Sequence, residues 1–131
     1  MARMNAIAFA AVGVGAALGA WLRWGFATWL NPLTPNLPLG TLTANVLGGY
    51  LVGLAVTFFG GHASSLPPEW RLACITGFLG ALTTFSTFSA ESLALVESGR
   101  IASAAVHSLA HLFGALVATA LGVATARALG W

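Results

Sequence analysis

GFLGALTTFSTFSAE, residues 77–91, sets two glycines and a run of Ser and Thr hydroxyls inside a segment otherwise apolar enough to cross a bilayer. A transmembrane helix with this content is expected to break. Lipid gives freed backbone groups no partner, so a break at that depth survives only where protein, water or an ion satisfies them. The stretch is therefore the first candidate site, provided that the chain around it lies in a membrane.

The composition points that way. Of 131 residues, 58% are hydrophobic and only 6% charged, against about 25% charged in ordinary soluble domains. The charged side chains are five Arg and three Glu, and a net charge of +2 is too sparse for a nucleic-acid or acidic-substrate patch. No nucleic-acid partner is expected. The single Cys74 cannot form an internal disulfide and reads as a small core residue. The N-terminal run resembles a secretion signal, but its apolar character continues through Trp24 to Leu30, long enough for a retained spanning helix.

Turn chemistry divides the chain into a single domain of four apolar blocks, at about residues 4–30, 39–60, 70–97 and 101–129. The separators, NPLTPNLP, GHASSLPP and the short 98–100 turn, bring successive helices back antiparallel, with both termini on one side. Trp21, Trp24, Trp29, Trp70 and Trp131 fall mostly near helix ends, as interfacial anchors do. Gly15 with Gly19, and Gly49 with Gly53, form GxxxG patterns that allow close helix packing. Arg3, Arg71 and Arg127 fall on one side, against Arg100 and Arg23 on the other. So even a balance leaves orientation open and permits, without requiring, an antiparallel homodimer.

Polar residues inside the spans are the remaining candidates, because such groups are costly in lipid. Ser103, His107, His111, Ala115 and Thr119 recur every four residues on helix four and share a face. Two histidines at this spacing can face one metal ion, but no third ligand is near in sequence. They also fit buried hydrogen bonding, or a polar track whose ring N–H groups donate to a passing anion. Thr41 and Asn45 lie one turn apart on helix two, where Asn45 either joins another helix or donates to an ion. Phe85 and Phe88 share a face beside the expected break, and their positive ring edges suit an anion. Glu91, one turn on, needs a pairing partner such as Arg23 or a hydroxyl, or else water. Arg23 either snorkels to the interface or sits at a vestibule.

Three segments, GAALGAWLRW (15–24), GTLTANVLGGYLVG (40–53) and residues 77–91, resemble in order and spacing the signature segments of the Fluc/CrcB family of fluoride channels. With the four-span layout, the resemblance covers nearly the whole chain. It implies an all-α membrane protein with four transmembrane helices per subunit and helix three broken mid-membrane, paired as an antiparallel dual-topology homodimer. A structural Na+ would sit at the dimer interface on backbone carbonyls of Gly80 and Thr83 from each chain. Asn45, Phe85 and Phe88 would contact fluoride, with Thr84, Ser86 and Thr87 nearby and Ser103, His107, His111 and Thr119 completing the path. Arg23, Thr41 and Glu91 would give vestibule or polar support.

The implied activity is passive export of cytoplasmic fluoride through two pores in the cell (inner) membrane, relieving toxicity without catalysis. On helix four this chain departs from the family, with His107, His111 and Ala115 where hydroxyl residues are common. Two other readings remain at this stage. A small multidrug-type proton-coupled exporter shares the architecture but resembles its family through a Glu in helix one, absent here; GxxxG faces alone would fit a non-transporting membrane assembly subunit.

Overall fold

The computed structural model describes residues 5–131; Arg3 of the charge count, and residue 4 where the first helix is expected to start, lie outside the described residues. Helix α1 is Ala6–Leu30 and α2 is Leu39–Gly60. The third span is composite: α3 Pro68–Arg71, a π-helical segment Leu72–Leu79, α4 Gly80–Leu82 and α5 Phe85–Glu97. Helix α6 is Ile101–Ala128. The four spans, 22 to 30 residues long, are each apolar enough to cross a membrane, and the described residues contain no strand.

Local chemistry sets the ends. Asn5 caps α1 by accepting from the Ala8 N–H at 2.7 Å. Pro67 and Pro68 start the third span two residues before the expected Trp70, since a proline ring is already set for the first helical turn. Gly99, at φ 75°, stops α5: the Arg100 N–H reaches the Leu95 carbonyl and the Gly99 N–H that of Val96, a Schellman closure.

Two pairings organise the bundle. Gly15 and Gly19 of α1 lie against backbone at Ala73 and Phe78, while Arg23 reaches Ala81, so α1 and the third span run in the same direction. Gly49 and Gly53 face Ala115 and Thr119, so α2 and α6 are also parallel. Thr41 meets Glu91 and Asn45 meets Thr84, which sets α2 antiparallel to the third span. Both GxxxG patterns are thus packing seams. A Cβ at Gly15 would overlap the Ala73 carbonyl, and one at Gly53 the Thr119 carbonyl. Phe9, Val14, Leu18, Leu109 and Leu116 point outward, as expected of helices solvated by lipid.

Candidate functional site

The α-helical path of the third span stops at Leu82. Thr83 (φ −82°, ψ 153°) and Thr84 (φ −152°, ψ 118°) are extended before α5 begins. Two consecutive extended residues strip the adjoining turns of their i to i−4 partners, so each freed group needs another. Asn45 supplies two of them. Its Oδ1 accepts from the Thr84 N–H at 2.7 Å, and its Nδ2 donates to the Thr84 carbonyl at 3.0 Å. Arg23 adds a third, its Nε donating to the Ala81 carbonyl at 3.0 Å. The Thr84 hydroxyl accepts from the Thr87 N–H at 3.1 Å and so caps α5.

Those diversions leave two carbonyls without their helical donors. In an unbroken helix the Thr84 N–H would serve Gly80 and the Thr87 N–H would serve Thr83. Here the first goes to Asn45 and the second to the Thr84 side chain. Backbone carbonyls are hard oxygen donors of the kind that hold hard cations. Gly80 and Thr83 therefore fit a cation by the chemistry of their freed acceptors, and Gly80 lies on the exposed surface of the subunit.

Beside the break, α5 and α6 face each other through rings. Phe85 and Phe88 have ring centroids 5.4 Å apart; Phe88 lies 5.4 Å from His107 and 4.8 Å from His111. His107 is 0% exposed and His111 5%. His111 Nδ1 is 3.0 Å from Asn45 Nδ2, which ties α6 to the same amide that holds the break. Glu91 accepts from the Thr41 hydroxyl at 2.6 Å, and its other oxygen is 3.5 Å from His107 Nε2. Its partner is thus the hydroxyl and not Arg23. One ligating atom from each of Glu91, His107 and His111 lies within 4.8 Å of the other two, so folding brings the carboxylate that the helix-four spacing lacked.

Asn45, Thr84, Phe85, Phe88 and His111 border a half-open cleft of about 670 Å³. Phe85, on its rim, is 80% exposed. Not all the candidates converge there. Ser86 is exposed but within 3.3 Å of the Thr84 hydroxyl, and Thr87 accepts from that hydroxyl at 3.0 Å. Thr119 turns its hydroxyl back to the Ala115 carbonyl, 2.9 Å away, and packs on Gly49. Ser103 lies two turns before His111 on α6 and is half-buried.

Three features were not drawn from the sequence. Arg23 is committed to the break, whereas the sequence left it between snorkelling and a vestibule. Gly48 leaves room for the Thr83 methyl, which a Cβ there would overlap. Ser108, one residue off the four-step stripe, lines the cleft. A wider arc on α6 would have caught Ser108, while nothing local distinguishes Gly48 from its neighbour Gly49.

Residues 10–123 match the model of a family described as CrcB-like protein, Camphor Resistance (CrcB). Among curated relatives, a protein of Ralstonia nicotianae named fluoride-specific ion channel FluC is 61% identical over 127 residues, covering 97% of this chain and all of the relative. Proteins of the same name from Cupriavidus taiwanensis and Cupriavidus necator are 61% and 62% identical over 126 residues, covering 96% of this chain and 99% of each relative.

Proposed function

The chain belongs to the CrcB-like protein family, and we propose that it is a passive fluoride-selective channel that releases cytoplasmic fluoride across the cell inner membrane. The observation that carries this reading is the break itself: a polar interruption in an apolar span, tied by Asn45 and opening beside Phe85 and Phe88 onto a cleft. The names of the relatives supply the ion.

Fluoride is small and strongly hydrated, so a selective route must replace its water with close donors and still let it go. Amide, hydroxyl and imidazole N–H groups with Phe ring edges offer partial charges suited to that balance. Phe85, Phe88, His107 and His111 are the contacts proposed nearest the break, with Asn45 holding the break itself and Thr84, Ser86 and Thr87 beside them. Ser103 and Thr119 lie farther along the route, and Arg23, Thr41 and Glu91 support it.

A single subunit leaves its cleft half open and Phe85 bare. A second copy, inserted with opposite orientation, would cover both and produce two routes per dimer. At the crossing, the Gly80 and Thr83 carbonyls of each copy would hold a structural sodium ion. Bound there, the ion supplies fixed positive charge in a low-dielectric setting. The test is efflux from reconstituted liposomes followed with fluoride and chloride electrodes. Rapid fluoride loss without chloride loss is expected. Substrate-dependent proton flux would replace the channel with an exporter, and no flux at all would leave an assembly role.

A further inference from the structure

The Asn45 amide has no hydrogen to spare. The Thr84 backbone N–H is an obligate donor, so the Asn45 atom 2.7 Å from it must be the oxygen. The amide flip is thereby fixed. Nδ2 is then the atom 3.0 Å from the Thr84 carbonyl and 3.0 Å from His111 Nδ1, one hydrogen for each. A hydrogen pointing at Nδ1 requires a lone pair there, so a neutral His111 ring carries its own hydrogen on Nε2.

We propose that Asn45 acts on the anion route through His111: it locks the ring in the Nε2–H tautomer, so that α6 offers a passing anion a donor where the other tautomer would offer a lone pair. This rests on the channel reading and sharpens it. Asn45 becomes a positioning residue, because both its hydrogens are committed, and His111 becomes the group that meets the ion. Among the described residues, His111 Nε2 is buried and has no hydrogen-bond partner. Such a donor is rare in a folded interior and calls for a partner, as do the neighbouring Glu91 Oε2 and His107 ring nitrogens. The Phe88 ring stands 4.8 Å away, and both rings border the cleft.

The same lock disfavours metal binding by Glu91, His107 and His111, close as they are. A ligating Nε2 must give up its hydrogen, which on a neutral ring would then sit on Nδ1 against the Asn45 N–H.

The test is nitrogen NMR of the full-length, histidine-labelled protein in lipid nanodiscs, with the His111 signals assigned by their loss in a His111→Gln variant. The Nε2–H form is expected for wild type. Asn45→Asp should reverse it, since a carboxylate accepts from Nδ1–H. In liposomes, His111→Gln keeps an amide N–H near the depth of Nε2 and should conduct fluoride several-fold better than His111→Met. His111→Met should lose about tenfold or more, the worth of one donor to a charged group. Added Zn2+ should leave wild-type efflux unchanged. An Nδ1–H His111 in conducting wild-type protein, an unaltered tautomer in Asn45→Asp, full conduction by His111→Met, or Zn2+ block that disappears in His111→Gln would each overturn the proposal. The channel reading fails differently, by absence of fluoride efflux from wild-type protein whatever its tautomer.

Discussion

The third span meets α1 on one side and α2 with α6 on the other, and the two junctions are built from opposite materials. Against α1 it presents backbone to backbone, with Gly15, Gly19 and Gly77 each leaving no room for a methyl group. Against α2 and α6 the contact is made through side chains: the Glu91 carboxylate and Thr84 backbone of the third span meet the Thr41 hydroxyl and Asn45 amide of α2 and the two imidazoles of α6. The glycine seam is held by fit, and Arg23 of α1 bonds across its end to the break. The polar junction is held by hydrogen bonds, which a small ion can take over and return. Rigidity on one side thus positions exchangeable groups on the other.

Breaking the seam should produce the largest effect. Gly15→Leu drives a side chain into the Ala73 carbonyl, which backbone packing cannot move aside, at a cost of about 3 kcal/mol, the upper end of what overpacking usually costs. Loss of monodisperse folded protein on size exclusion is expected. Gly13→Ala is the matched control: a Cβ there meets nothing within 4 Å, and alanine favours a helix by up to about 1 kcal/mol. Equal behaviour of these two variants would dissolve the distinction between the junctions.

On the polar side, Asn45→Ala removes both partners of Thr84 together with the His111 contact. Fluoride efflux should fall by about ten- to a hundredfold, because each buried group left unpaired costs about 1–3 kcal/mol. From the α1 side, Arg23→Gln strips the Nε bond from the Ala81 carbonyl and should lower thermal stability in detergent by about 1–2 kcal/mol, with less effect on efflux than Asn45→Ala. Thr41→Val keeps the shape but removes the hydroxyl that donates to Glu91, a loss of about 1 kcal/mol. Smallest of all, Thr119→Val should lower efflux by only about two- to threefold, since that hydroxyl's hydrogen is held by its own helix and the residue lies far from the break. A large defect there would extend the polar junction well beyond the break.

Four apolar spans, the turns between them and the packing role of both GxxxG patterns were readable because each rests on local composition and spacing. The sequence also singled out Asn45, Thr84, His111 and Glu91 one by one. What it did not contain was their joining. Asn45 and Thr84 are 39 residues apart and Thr41 and Glu91 are 50 apart, and no periodicity within one helix encodes a contact between two. The missing third ligand beside His107 and His111 was absent only along the chain, since α5 folds back to bring Glu91 there. The π-helical turn at Leu72–Leu79 also escaped notice. Its residues look like any apolar run, and α1 approaches closely along it.

At the far end of the bundle, Arg100 donates through Nη1 to Asn36 Oδ1, fastening the turn after α5 to the loop before α2. An amide oxygen steadies a guanidinium without cancelling it. Among the described residues no carboxylate pairs with Arg100, so its unit charge stays exposed at that end of the bundle. Negative solutes approaching that face feel an attraction that reaches about 8 Å in physiological salt and shrinks to about 3 Å at 1 M. Capture at the entrance should therefore weaken as ionic strength rises, while selectivity, fixed deep in the protein by groups that bulk electrolyte does not screen, stays constant.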